Sequence, residues 1–527
     1  MKQMVQDLKL PLLLVLVLSL GAALALPITP IDETRYVSAA WEMWNTHSFL
    51  VPYLNGEAYS HKPPMLFWMM HAGWALVGVN DFTPRLIPGI FSLLGLLLVY
   101  RISLRLWPQE RNTAVCAALI LASTAIWDAW SVAIMFDMVL TFWILLGLLG
   151  TLRAAEGRRG GWWMLAAGVA GGLLTKGPAV LVYLLPIPLC RAWWNARREP
   201  PVRIGWVLAV LGAAALGLAV ALLWAIPAAN QGGEAYGHAI LWGQTADRVT
   251  ASFAHRRPFW WYLPLVPLFF FPWILFRPSF SRLNLKGADF GTRFCIAWMG
   301  LPLLIFSMIS DKQIHYLIPF IPAGALLIGR NIARAADGSG KTSATILGGL
   351  FLLLGLAALA APLIDLGGDV GRLEPGDALF AAIGFLIAGL LLLPFRSTGH
   401  TVQRIALAMT LALLCALVEA KKSFMDDFDM KETAVFIKSK MDEGIPVAIE
   451  GKYHGQYQFL GRLCKPITVL RGGTQTLLAF SASHPTALFI RHQHANDNRL
   501  PEGAHICYSH EYRGKSVILW QMGPRLP

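Results

Sequence analysis

Residues 31–68, IDETRYVSAAWEMWNTHSFLVPYLNGEAYSHKPPMLFW, place Asp32, Glu33, Arg35, His61 and Lys62 in a polar loop between apolar segments. Charge at a membrane edge costs free energy unless it is wetted or paired, so such a loop is a functional-site candidate by default. An acidic pair and a lysine in one outer loop suggest a reaction centre that handles a proton and an anion.

The composition around this loop is that of a membrane protein. The chain has 527 residues, of which 56% are hydrophobic and 14% charged, with a mean hydropathy of +0.53; this balance excludes an ordinary soluble domain. Twenty Trp and 27 Phe suit interfacial belts and lipid-facing packing. The formal charge of +13 does not indicate nucleic acid, because the arginines fall in short loops between apolar runs. The first run, 10–26, carries no charge and is followed by Pro27. It reads as a retained span rather than a signal peptide, being long for such a segment and lacking a clean small-x-small cleavage site.

A spanning helix needs about 20 apolar residues. Runs near 10–26, 86–106, 112–129, 135–152, 161–175, 178–194, 204–226, 259–276, 294–310, 315–331, 343–363, 378–395 and 404–420 give thirteen expected spans. With Lys2 and Lys9 in the cytoplasm, alternate loops carry the arginines, as the positive-inside rule requires. The loop 364–377, with four acids against Arg372, then falls outside, as does the first loop. An odd count also puts the tail, 421–527, outside. The tail is polar, with a helical pattern at 431–441 before strand-like runs at 446–449 and 487–490, and reads as a small α/β domain. The expected domains are thus 1–420, membrane-embedded, and 421–527, extracytoplasmic. Cys116, Cys190, Cys295 and Cys415 lie in or beside apolar runs and read as core. Cys464 and Cys507 lie in the tail and could pair in an oxidising compartment.

This topology gathers a short list of polar residues on one face. The first loop supplies Asp32, Glu33, Arg35, Tyr59, His61, Lys62 and Arg85; Asp137 starts a span in MFDMVLTFW; Lys176 sits in LLTKGPAVL. His238, His255, Arg256 and Arg257 precede one later span, and SDKQIHYLIP carries Asp311, Lys312, His315 and Tyr316. Together they offer carboxylates for acid–base work and cations for a phosphate. Each residue also has a plain reading. Asp32 and Glu33 can open a helix, where acids complement the dipole; Lys62 can snorkel; Lys312 can be a loop charge and His255 a wet interfacial side chain. The clustering on one face is what the plain readings leave unexplained.

The motifs DETRYVSAAWEMW, VPYLNGEAYSHKPPMLFW, FTPRLIPGIFSLLG, MFDMVLTFW, LLTKGPAVLVYLLP, RRPFWWYLPLVPLFFFPW and SDKQIHYLIPFIPA follow one another over about 28–330. In that order they resemble the aminoarabinose transferase-like and protein O-mannosyltransferase-like glycosyltransferases, which have the GT-C fold; the Asp-Glu-x-Arg-Tyr and Lys-Pro-Pro elements are the specific ones. The resemblance implies a multi-pass α-helical membrane protein of about thirteen spans with a C-terminal extracytoplasmic domain. It implies transfer of a sugar from an undecaprenyl (polyprenyl) phosphate donor to a lipid A, lipopolysaccharide or other envelope lipid or glycan acceptor, at the periplasmic face of a bacterial inner membrane. By the match Asp32 is the key acid, Tyr59 and Lys62 lie where the donor phosphate binds, and Asp137 and Lys176 fall at functional positions.

Cations at Lys62, Lys176, Arg256 and Lys312 would stabilise the charge that develops on the leaving phosphate, and Asp32 could deprotonate or position the acceptor. Glu33 and Asp137 are expected to orient. The family commonly has Glu before Lys-Pro-Pro, where it helps hold a metal; here the residue is His61. With His255 it could hold zinc, since imidazole suits that ion. A monomer with no nucleic-acid partner is expected. The competing class is a transporter or flippase of lipid-linked sugars, which would show internal symmetry and broken midplane helices; the sequence shows neither.

Overall fold

The structure is a computed structural model that describes residues 2–195, 204–243, 257–281, 287–335, 340–363, 378–393, 400–423, 425–494, 500–512 and 515–522. Among the described residues nine helical units are long and apolar enough to cross a membrane: Lys2–Ala25, Phe82–Leu106, Asp137–Ala155, Gly160–Leu189, Ile204–Gly232, Phe290–Met308, Ile314–Ala333, Lys341–Leu363 and Thr401–Ser423. A tenth arises if Arg111–Leu121 and Ala125–Val132, bent by 61°, form one span.

Where the helices differ from the expected runs, the causes are local. The expected runs 161–175 and 178–194 join as Gly160–Leu189, interrupted at Gly177, whose φ is +65°. The run 259–276 is a string of 3₁₀ turns, because Pro258, Pro264, Pro267 and Pro272 each remove a helix donor and crowd the preceding turn. The run 378–395 is a shorter helix, Leu379–Leu392. The bend after Leu121 sits where Ser123 Oγ and Thr124 Oγ1 donate to the carbonyls of Leu119 and Ile120 at 2.6 and 2.7 Å, competing with the backbone ladder. The next amide, Ala125, bonds Phe271 instead, at 3.0 Å.

The helices that build the site are α1 (Lys2–Ala25), α2 (Asp32–Asn45), α3 (Met65–Val77), α4 (Phe82–Leu106), α5 (Arg111–Leu121), α6 (Ala125–Val132), α7 (Asp137–Ala155), α8 (Gly160–Lys176) and α9 (Ile204–Gly232). Helices α7 and α8 form a tight antiparallel hairpin. A Cβ on Gly161 would lie 2.4 Å from the Ala154 amide nitrogen, and one on Gly150 2.6 Å from the Gly161 carbonyl; small residues allow this approach where lipid gives no hydrophobic drive to association. The hairpin brings the first residue of α7, Asp137, beside the last of α8, Lys176. Helix α9 is apolar and exposes Leu208, Leu211, Leu218 and Leu223, as a lipid-facing helix does.

At the far end of the bundle Arg330 donates to Glu110 at 3.0–3.1 Å and to Asp289 at 2.5–2.9 Å, and also to Thr292 at 2.9 Å. Arg334 shares Glu110, and the Arg330 guanidinium lies 4.4 Å from the Trp107 ring. The knot ties the end of α4 to the helices Phe290–Met308 and Ile321–Ala333.

The tail forms a five-stranded sheet. Its strands are β3 (Val447–Glu450), β4 (Thr468–Leu470), β5 (Leu488–His494), β6 (Ala504–Tyr512) and β7 (Lys515–Met522), after a small hairpin, β1–β2, at Tyr53–Leu54 and Glu57–Ala58. The order is β4-β3-β5-β7-β6; β3 is parallel to β4 and β5, and β7 antiparallel to β5 and β6. The helix Lys431–Asp442 precedes the first strand of this sheet, as the sequence pattern implies. Cys464 and Cys507 are not joined: both are free and exposed, Cys464 beside Asn45 and Cys507 beside Gln521.

The sheet unit rests on the first loop. Ser38 Oγ donates to the Gly455 carbonyl at 2.7 Å and accepts from the Phe459 amide at 3.1 Å. Trp74 of α3 stacks on Phe459 at 5.4 Å and 11°. Asp81 takes Lys431 at 2.8 Å and Arg462 at 2.7 Å.

Candidate functional site

Helix α2 starts at Asp32, so the acid pair is indeed a helix start, and its two members go different ways. Glu33 is fully engaged. Its Oε1 accepts from Arg85 Nη1 at 3.0 Å and the Ile134 amide at 2.9 Å. Its Oε2 accepts from Arg85 Nη2 at 2.6 Å and from the Thr29 amide and hydroxyl, both at 2.9 Å. Arg85 also donates to the carbonyls of Val132 and Pro27. This buried fork fixes α2 against α4 and the end of α6, which makes Glu33 a positioning group. Arg85→Lys keeps the charge but loses the planar fork; it is expected to destabilise the protein by about 2 kcal/mol, read as a fall in the thermal midpoint in detergent.

Asp32 is the accessible acid: its side chain is 52% exposed, against 10% for Glu33. Arg35 Nη1 lies 3.5 Å from Asp32 Oδ1, and the Tyr36 hydroxyl donates to the same oxygen at 3.4 Å. Burial, then the Asp32 charge, push the Tyr36 phenol far above its ordinary range, so Tyr36 is a proton-bearing donor to Asp32 and not an anion. Lys62 Nζ lies 6.0 Å from the Tyr36 ring and 5.7 Å from that of Phe136, and those two rings meet edge-on at 4.9 Å. Phe136 directly precedes Asp137.

Asp137 and Lys176 form a buried ion pair at 2.5 Å, their side chains 1% and 5% exposed. Lys176 Nζ also faces the Tyr316 ring at 5.4 Å, and Tyr316 donates to Asp311 at 2.8 Å. Lys62 and Lys176 line one cavity of about 190 Å³ with Ser60 and His61; Leu218, Ala221, Leu222 and Trp224 of α9 form another wall. An anion with an apolar chain matches such a lining, which combines two lysines with apolar side chains of α9.

The structure thus brings Asp32, Tyr59, His61, Lys62, Asp137 and Lys176 to one region, Tyr59 and His61 through ring contact at 5.3 Å. Lys312 lies close by, but its ammonium donates to the carbonyls of Arg257 and Ile309. His255 and Arg256 lie outside the described residues. Zinc at His61 would need further ligands. Among the described residues no three His, Cys, Asp or Glu side chains converge, and no step is assigned to a metal. Sequence reasoning missed Tyr36 as the link between Asp32 and Lys62, although its place four residues after Asp32 on a helix is a usable signal. It also missed that Arg85 serves Glu33 and that the tail touches α2, pairings no spacing encodes.

The family model for dolichyl-phosphate-mannose-protein mannosyltransferases matches residues 28–232, which contain these residues. An undecaprenyl phosphate-alpha-4-amino-4-deoxy-L-arabinose arabinosyl transferase of Pseudomonas fluorescens is 31% identical over 337 residues, covering 62% of this chain and 60% of the relative. That of Pseudomonas aeruginosa PAO1 is 32% identical over 339 residues, with shares of 62% and 60%. The matches thus span about 60% of the length of these relatives. In fold, the crystal structure of ArnT from Cupriavidus metallidurans bound to undecaprenyl phosphate superposes with a TM-score of 0.77 at 18% identity, over 99% of this chain and 100% of that one. The Archaeoglobus fulgidus oligosaccharyltransferase gives 0.51 at 11% identity, over 91% and 69%. The chain is thus similar, over part of their length, to aminoarabinose and protein mannosyl transferases, and it shares the GT-C fold of the solved ArnT structure.

Proposed function

We propose that this chain is an integral-membrane glycosyltransferase that moves a sugar from a polyprenyl phosphate, undecaprenyl phosphate in bacteria, to a lipid or glycan acceptor of the envelope. The observation that carries this reading is the cavity in which Lys62 and Lys176 meet the apolar wall of α9. It fits the two chemical features of a lipid phosphate at once. The names of the similar proteins support undecaprenyl phosphate as the carrier and make 4-amino-4-deoxy-L-arabinose the sugar to test first; lipid A, an acceptor that the motif resemblance implies, is the acceptor to test with it. The basic loops on one side of the spans support an inner-membrane protein whose site and C-terminal domain face the periplasm.

The reaction is a single displacement. An acceptor oxygen attacks the anomeric carbon, and the bond from that carbon to the phosphate oxygen breaks with its electron pair leaving on the phosphate. The lysines stabilise the charge that collects there. Where the acceptor is a hydroxyl, its proton passes to the Asp32 carboxylate; where it is already an anion, Asp32 and Tyr36 orient it. Asp137 holds Lys176 in place, and Glu33 with Arg85 holds α2.

The test is transfer by the purified full chain in detergent from synthetic undecaprenyl phosphate-4-amino-4-deoxy-L-arabinose to lipid A, followed by mass spectrometry and NMR. The expected product carries one added sugar with inverted anomeric configuration. Lys62→Ala should raise the donor KM by about tenfold or more, the loss of one charge-assisted contact to phosphate. A retained configuration would overturn the single displacement. Movement of the donor across vesicle membranes without any sugar transfer would favour a transporter.

A further inference from the structure

The segment Asp311-Lys312-Gln313-Ile314-His315-Tyr316 joins the helix Phe290–Met308 to the helix Ile321–Ala333. Two buried tyrosines fasten it from neighbouring elements. Tyr262 Oη donates to the Gln313 carbonyl at 3.0 Å, and Tyr183 Oη to the Tyr316 carbonyl at 2.9 Å. The Tyr316 side chain is thereby set between two charges. Its ring faces Lys176 Nζ at 5.4 Å, and its hydroxyl donates to Asp311 Oδ2 at 2.8 Å. Lys176 lines the cavity, so a cation of the cavity stands over the face of this tyrosine and the Asp311 carboxylate stands at its far end.

The other acids of this region have cations beside them: Glu33 has Arg85, Asp137 has Lys176, and Asp32 has Arg35. Asp311 differs. Among the described residues its Oδ1 is enclosed and has no hydrogen-bond partner, while Oδ2 takes the uncharged Tyr316 hydroxyl. The cations next to it in the chain serve elsewhere. Lys312 Nζ donates to the carbonyls of Arg257 and Ile309, and the Arg257 guanidinium lies 5.8 Å from the Trp261 ring. An enclosed acceptor left unmet costs free energy and is rare in folded proteins. Oδ1 is therefore a place to receive a donor from outside the chain.

We propose that Asp311 receives an ammonium group on the donor sugar, and so makes the site selective for amino sugars over neutral ones. The proposal rests on the transferase reading and adds to it the residue that reads the sugar. Such a donor runs from phosphate anion through sugar ring to ammonium. The protein runs in the matching order, from Lys62 and Lys176 past the Tyr316 ring to Asp311. An ammonium brings positive charge and up to three N–H donors, and its bond to a carboxylate is about twice as strong as one between neutral groups. A hydroxyl in its place brings one donor and no charge. A site built around a buried polar group rejects the analogue that leaves that group unpaired, whereas a neutral pocket of the same shape would accept both.

The experiment measures binding to the full chain in detergent, by thermophoresis, of undecaprenyl phosphate-4-amino-4-deoxy-L-arabinose, of the same lipid with a hydroxyl in place of the amine, and of undecaprenyl phosphate. The wild type should prefer the amine over the hydroxyl by about tenfold or more, the scale of a charge-assisted contact. Asp311→Asn keeps the shape of the side chain, and Asp311→Ser still offers Tyr316 an oxygen. Both should bind the two sugar lipids about equally, through lost affinity for the amine alone, with undecaprenyl phosphate affinity unchanged. No preference in the wild type, a preference retained in either variant, or equal weakening of all three lipids would overturn the role of Asp311. A wild type that shows the preference and the variant effect, yet transfers no sugar, would uphold that role and overturn the transferase reading. Sugar transfer from both donors with equal kcat/KM, in wild type and variants alike, would do the reverse.

Discussion

Asp32→Asn is expected to slow sugar transfer by about two to four orders of magnitude while the protein folds and binds undecaprenyl phosphate as before. The amide keeps the size of the side chain and can still accept from Tyr36, but it carries no charge and takes no proton. The structural cost is small. Asp32 is half-exposed and its pairing with Arg35 is long at 3.5 Å, so little stability resides in that contact. Loss of an acid from the first turn of α2 costs about 0.5 kcal/mol of dipole interaction. Glu33 and Arg85, which fix the helix, are untouched. Single-turnover transfer with labelled donor, beside a thermal melt, separates the two effects. A variant that transfers at the wild-type rate would remove Asp32 from the chemistry.

Lys176→Met should act on folding and function together. It leaves Asp137, 1% exposed, without its counter-charge, and breaking a buried pair from one side costs about 3–5 kcal/mol. Low yield and an early melt are expected. The companion variant Asp137→Asn/Lys176→Met removes both charges and should recover most of that loss, since a buried pair contributes little beyond its uncharged replacement. It should not recover donor binding, because Lys176 lines the cavity where the phosphate is placed. Size-exclusion profiles and undecaprenyl phosphate affinity of the single and double variants decide the matter. If the double variant transfers sugar normally, the pair serves only to join α7 to α8.

Much of this was readable from the residues because membranes impose simple rules. Long apolar runs and short basic loops marked most spans, and Asp32, Lys62, Asp137 and Lys176 stood out as charge next to hydrocarbon. The alternation of strand and helix signals after 421 marked the tail domain. Length and apolarity did not show that prolines break 259–276 into short turns, nor that Ser123 and Thr124 bend the run 112–129. Glu33 and Asp32 are adjacent and alike in sequence; only the approach of Arg85, 52 residues away, makes one structural and leaves the other accessible. The seat of Gly455 on Ser38 spans 417 residues, a separation at which no local pattern survives.

The knot of Arg330, Glu110, Asp289 and Arg334 has a mechanical meaning. Helix α4, 25 residues and so about 37 Å long, carries Arg85 near its start and reaches the knot at its other end. Helix α7 likewise begins in the site at Asp137 and ends where Glu156 takes Arg105. These ties fix the ends of α4 and α7 that lie away from the site. The proposed lipid donor would therefore meet a bundle held at both ends, by this knot at one and by the Glu33–Arg85 and Asp137–Lys176 pairs at the other.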